Sequence, residues 1–164
     1  ADALRDRLDV AVRFLHACRL DGLNCYVHCA RGVSRSSAVS LAYALAYLPE
    51  ALATPAVATT WLEARRPQAL PNAGFARMLE DWVRSGGRDG CAAALRALDR
   101  AQPEAAARLR DADAAAVAAA LAGAAGGGAV AGFPYQPSVW GGWGRLPWGG
   151  ASRLIFGAGG FADM

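Results

Sequence analysis

Lysine is absent from this chain: all seventeen basic residues are arginine, set against fourteen acids and only two histidines. No local chemistry excludes lysine everywhere, so its absence, in a chain rich in alanine and glycine, reflects the coding bias of the source genome. The formal charge of +3 is mild and unevenly placed: residues 1–88 hold eleven arginines against eight acids, and residues 89–164 six against six. No basic run interleaves with aromatics, so a nucleic-acid surface is not expected. Cys18, Cys25, Cys29 and Cys91 lack Cys-x2-Cys spacing, so no metal is expected, nor any other cofactor. No apolar run reaches membrane length and nothing resembles a signal peptide, so no membrane partner is expected either. Reduced thiols in the cytoplasm or nucleus follow as the default. At 164 residues and 17.0 kDa the chain fits one domain with its own core. Its composition fixes no oligomeric state. It begins at Ala1 rather than Met, as a fragment would.

Periodicity divides the chain. Leu4, Leu8, Ala11, Val12 and Leu15 recur at helical spacing, which predicts one amphipathic helix from Ala3 to Cys18, ended by Asp21-Gly22. The apolar run Cys25-Tyr26-Val27-His28 predicts a short buried strand. A helix is expected from Ser34 to Leu48, closed by Pro49. Thr54-Pro55 offers a cap and a first-turn proline for another, running to Arg65. Arg66-Pro67 breaks that helix, and Pro71-Asn72 opens a last amphipathic one through Phe75, Met78, Leu79 and Trp82. Asn72 reads as its cap and braces the segment near the loop described below.

Beyond Arg88 the character changes. Residues 89–131 form an Ala-rich extension, with sixteen alanines among the thirty-one residues 101–131. Alanine makes helix cheap, but its faces bury little area, so weak docking is expected. Residues 132–164 combine glycine with Trp140, Trp143, Trp148 and Phe156 and follow neither period; they read as a low-complexity, mostly irregular tail.

Chemistry concentrates in "HCARGVSRS", His28 to Ser36. Cys-x5-Arg spacing alone is weak, since it occurs twice here (Cys25/Arg31 and Cys29/Arg35) and chance gives such a pair in roughly four of ten chains of this composition. Context separates the two. Cys25 belongs to the apolar run and reads as a packed thiol. Cys29 ends that run, followed by Gly32 in a tight loop and a helix starting near Ser34. Such a turn aims successive backbone N–H groups into one concavity and adds the positive end of a helix, which makes an anion site.

A thiol there is pulled towards the thiolate. It could attack phosphorus in line with the leaving oxygen, while Arg35 grips two phosphate oxygens in its planar fork, as lysine could not. Ser36 is placed to donate a hydrogen bond to the sulfur. His28 precedes Cys29, so its side chain should face the other way. An orienting role, holding the loop by hydrogen bonds, is expected of it.

Val-His-Cys-Ala-Arg-Gly-Val-Ser-Arg-Ser (27–36) resembles the signature loop of the dual-specificity, cysteine-based protein phosphatases. Leu41-Ala42-Tyr43, Arg65-Arg66-Pro67 and Pro71-Asn72-Ala73-Gly74-Phe75 resemble the stretches that follow that loop, and Phe14 and Leu15 fit the preceding helix. The likeness spans about residues 3–84, half the chain. It implies that Cys29 is a phosphocysteine nucleophile, Arg35 the phosphate clamp and Ser36 the donor to the leaving thiolate. The phosphate oxygens would be bound by the loop Ala30, Arg31, Gly32, Val33 and Ser34, with Arg35. It implies an α/β fold: a strand–phosphate loop–helix unit packed with further helices over residues 1–88, followed by the Ala/Gly-rich helical to irregular extension. The partner would be a phosphorylated protein.

Two departures stand beside the likeness. The family's general-acid aspartate lies about thirty residues before the cysteine, a distance that falls before Ala1; Asp2 and Asp6 are the nearest acids and read as the polar face of the first helix. Only one strand is visible, so the N-terminal third of the domain is expected to be missing. Three functions fit: a protein phosphatase, a phosphoprotein-capturing module without the acid, and a phosphatase of phosphoinositides or phosphorylated glucan. Ala30 and Val33 count against the phosphoinositide version, and no carbohydrate-binding segment supports the glucan one.

Overall fold

A computed structural model describes residues 2–125. Among them the chain forms α1 (Asp2–Arg5), α2 (Leu8–Leu20), α3 (Arg35–Tyr47), α4 (Pro55–Glu63), α5 (Ala73–Arg84), α6 (Gly87–Ala101) and α7 (Pro103–Ala125). The tail 132–164 lies outside the described residues. No helix among the described residues is long and apolar enough to cross a membrane.

The expected α/β architecture, with its strand–phosphate loop–helix unit, is corrected by this arrangement: no strand forms among the described residues. Residues 23–29, the expected strand included, take no regular structure; Cys25, Val27 and His28 are half-buried and Tyr26 is exposed. A strand exists only as part of a ladder, because its N–H and C=O groups need a neighbouring strand. A four-residue apolar run without a partner has nothing to pair with. The phosphate-loop segment therefore leads into α3 from an irregular stretch.

The core is built around α3. Ala38, Leu41, Ala42 and Leu45 are fully buried, and the two alanines let neighbouring helices approach closely. Helix α2 supplies Leu8 and Val12 from one side, α5 Met78, Leu79 and Trp82, and α6 Cys91 and Leu95. Each fully buried leucine contributes about 1.5–3 kcal/mol relative to exposure.

The single helix expected from Ala3 to Cys18 is two, α1 and α2, with the break at Asp6-Arg7. The break turns α1 onto α5, where Arg5 donates to the Ser85 hydroxyl at 2.9 Å. Helix α2 runs on to Leu20. Gly22, at φ +72°, ends it: its N–H bonds the Arg19 carbonyl and the Leu23 N–H bonds the Cys18 carbonyl, a left-handed cap suited to glycine. Thr54 caps α4, its hydroxyl accepting from the Val57 N–H at 3.3 Å, with Pro55 in the first turn.

Docking of the Ala-rich extension does not rest on area alone. Helices α6 and α7 pack against α2, and α7 also meets α4. Ala106 and Val117 of α7 are buried, but three polar contacts add to them. Arg19 pairs with Asp113 at 2.5 Å, Arg110 with Asp99, and Arg65 donates to the Ala116 carbonyl at 2.9 Å.

Candidate active site

The loop from Cys29 to Ser34 tightens at Gly32, whose N–H bonds the Cys29 carbonyl at 3.2 Å. Gly32 has φ +64°, a left-handed conformation that side chains disfavour, and a Cβ there would sit 3.2 Å from Nη2 of Arg66. Behind it, residues 70–72 hold the loop. The Leu70 N–H bonds the Val33 carbonyl at 3.0 Å, and the Asn72 N–H donates to the Ser34 hydroxyl at 2.8 Å. The Ser37 hydroxyl donates to the Val33 carbonyl. The Asn72 side chain faces its own helix, accepting from the Phe75 N–H at 3.0 Å as the cap of α5.

At the mouth of this loop the Cys29 sulfur lies 3.5 Å from the Ser36 hydroxyl. Burial pushes the thiol up. The Ser36 hydroxyl and the backbone N–H groups of Ser36, Arg31 and Gly32 outweigh that and bring it down to about 6. Stabilisation of the anion by several converging donors is what an oxyanion or phosphate oxygen would also meet there. The other cysteines contrast. Burial first, then contact with the Cys18 thiol, pushes Cys25 up to about 11, and burial pushes Cys91 to about 11 as well.

Arg35 is the first residue of α3 and exposed, as are Ala30 and Arg31; Val33 and Ser34 are half-buried. Neither Arg31 nor Arg35 forms an ion pair among the described residues. His28 stacks on Tyr26, with ring centroids 5.1 Å apart and planes at 19°. Leu70, Asn72 and Ser37 supply the hydrogen bonds that brace the loop at Val33 and Ser34. Asp2 lies in the first turn of α1 and Asp6 just after it, both exposed. Among the described residues no three His, Cys, Asp or Glu side chains converge as a metal site requires.

Three participants escaped sequence reasoning about the site: Arg66, Ser37 and Leu70. Arg66 stands in the Arg65-Arg66-Pro67 stretch, but nothing local says that its guanidinium reaches a glycine thirty-four positions earlier. Ser37 carries a local signal, since a helical serine can bond the carbonyl four residues back.

The dual specificity phosphatase catalytic domain matches residues 1–85, more than half of the chain, and the chain belongs to that family. Among its relatives is dual specificity protein phosphatase 15 of Rattus norvegicus, 43% identical over 76 residues, which are 45% of this chain and 31% of the relative. The Homo sapiens protein of the same name is 39% identical over 71 residues, 43% of this chain and 23% of the relative. Dual specificity protein phosphatase 22 of Mus musculus is 38% identical over 76 residues, 44% of this chain and 38% of the relative. The chain thus spans roughly a third of the length of the curated relatives it matches. No solved structure matches it.

Proposed function

We propose that this chain hydrolyses phosphate monoesters on protein tyrosine, serine or threonine through a phosphocysteine intermediate. One observation carries the proposal: the Cys29 sulfur lies 3.5 Å from the Ser36 hydroxyl in a tight loop that leads into a helix beginning at Arg35, surroundings that bring the thiol down. Family membership and the names of the relatives, all protein phosphatases, support the same substrate class.

In the first step the Cys29 thiolate forms a bond to phosphorus while the bond to the leaving oxygen breaks. The fork of Arg35 and the loop N–H groups from Ala30 to Ser34 hold the transferring oxygens. The leaving oxygen takes up a proton from solvent as it departs, most urgently when it is an alkyl oxygen from serine or threonine. In the second step water attacks phosphorus, giving up a proton to solvent, and the S–P bond breaks. Its electron pair returns to Cys29, where the Ser36 hydroxyl donates to the sulfur, and inorganic phosphate leaves.

The test is kcat/KM on an activated aryl phosphate, phosphotyrosine and phosphoserine peptides, a phosphoinositide and a phosphorylated glucan. Turnover of the aryl ester and phosphopeptides, abolished by Cys29→Ser with vanadate binding kept, is the expected outcome. Phosphopeptide binding without turnover of any ester would make the chain a capture module. Preference for the lipid or glucan would overturn the protein substrate.

A further inference from the structure

A buried polar network lies away from the phosphate loop, and the proposed chemistry does not use it. His16 of α2 is fully buried. Its Nε2 is 2.8 Å from Asp99 of α6 and its Nδ1 is 3.0 Å from the Tyr43 hydroxyl of α3. Arg19 donates to the same hydroxyl at 3.0 Å and pairs with Asp113 of α7 at 2.5 Å. The second oxygen of Asp99 takes Arg110 of α7. The rings of Tyr43 and Tyr47 stack, with centroids 5.5 Å apart, and the Arg19 guanidinium lies over both.

One arrangement satisfies every member: the His16 Nε2–H donates to the Asp99 carboxylate, which can only accept, and Nδ1 accepts from the Tyr43 O–H. The Tyr43 oxygen in turn accepts from Arg19. Burial pushes the Tyr43 phenol up to about 12 against the pull of Arg19, so it keeps the proton it donates. Satisfied in this way, a buried network fixes one geometry; broken at one member, it leaves buried polar groups unpaired.

Two placements give the network a consequence. Asp99, Arg110 and Asp113 lie outside the family-matched residues 1–85. Tyr43 lies two turns along the helix whose first residues are Arg35 and Ser36. We propose that the α6–α7 hairpin positions the phosphate site: through Asp99 and Asp113 it fixes His16, Arg19 and Tyr43, and through Tyr43 it sets α3. Tyr43, His16 and Asp99 are positioning residues and touch no substrate. The proposal rests on the assignment of Cys29 as the nucleophile.

The experiment uses the full chain and the variants Tyr43→Phe and Asp99→Asn, with Arg13→Gln as control. Arg13 pairs with Asp9 on the exposed face of α2 and belongs to neither network nor site. Two quantities are read: the pH midpoint of iodoacetamide alkylation at Cys29, and kcat and KM on the activated aryl phosphate, with circular dichroism monitoring the fold. Tyr43→Phe keeps the ring and its stacking and loses only the hydroxyl. The expected result is an upward shift of the Cys29 midpoint and a fall in kcat of about tenfold with KM little changed, in a folded protein. Asp99→Asn should do the same and the control neither. Folded variants with the wild-type midpoint and kcat would overturn the positioning role while leaving the nucleophile assignment intact. A wild-type Cys29 that titrates as an ordinary thiol would overturn both.

Discussion

The Ser36 hydroxyl, in the first turn of the helix that follows the loop, lies 3.5 Å from the Cys29 sulfur. In that place it can serve twice, stabilising the thiolate before attack and receiving the sulfur as it leaves. A hydrogen bond to a charged group contributes about 1.5–3 kcal/mol. Ser36→Ala should therefore lower kcat on an activated aryl phosphate by roughly ten- to a hundredfold. Rapid mixing should show a burst of released phenol, since the second step is slowed most. A loss without a burst would place the role of Ser36 in the first step alone.

Arg35→Lys should keep the charge and lose the two-pronged grip on phosphate. Competition by vanadate measures this: inhibition should weaken about tenfold or more as the bidentate contact is lost. Unchanged inhibition would move the clamp to another arginine, with Arg66 beside Gly32 the first to examine.

The loop glycine makes a backbone prediction. Gly32→Ala places a methyl at φ +64° and 3.2 Å from the end of Arg66. The flexible guanidinium can yield, but the left-handed backbone cannot, so a cost of about 1–2 kcal/mol is expected. Thermal melting reads the stability, and the Cys29 alkylation midpoint should rise as the Gly32 N–H swings away from the sulfur.

Asn72→Ala separates a cap from a site residue. Its side chain caps α5, whereas its backbone N–H, which alanine keeps, braces Ser34. The variant should lose about 1 kcal/mol of stability and retain its kcat below the melting transition. A tenfold loss of kcat at unchanged melting temperature would show that the side chain serves the site.

Local features were legible in the sequence. The Thr54 and Asn72 caps, the Gly22 terminator and the Cys29–Ser36 contact each join residues within seven positions of one another. What escaped is long-range. The helix break at Asp6-Arg7 lets α1 turn onto α5, where Arg5 meets a residue eighty positions away. The uninterrupted spacing of Leu4 and Leu8 hides it. An apolar tetrapeptide such as Cys25–His28 is ambiguous without knowing its neighbour: its pattern predicts a strand, and no strand forms among the described residues. The small apolar area of the Ala-rich extension predicts weak docking, while part of its docking lies in single acids, Asp99 and Asp113, that only the fold brings to His16 and Arg19.

Stability should follow the thiols with opposite signs. Cys29 is depressed to about 6, so its ionisation favours folding as pH rises from 6 towards the ordinary 9.0, and that contribution is lost as pH falls through 6. Cys25 and Cys91 are raised to about 11, so their contribution is full below 9.0 and is lost as pH rises through 11. Melting temperatures of wild type and Cys29→Ser should therefore differ in slope between pH 6 and 9. Parallel curves would contradict the depressed thiol.

The most direct measurement is the pH dependence of alkylation at each cysteine, read by mass spectrometry with and without vanadate. Cys29 should react with a midpoint of about 6, and vanadate should protect it, while Cys25 and Cys91 react only as pH approaches 11. If Cys29 titrates together with Cys25, or reacts equally fast with vanadate present, the loop does not activate a phosphate-attacking thiolate.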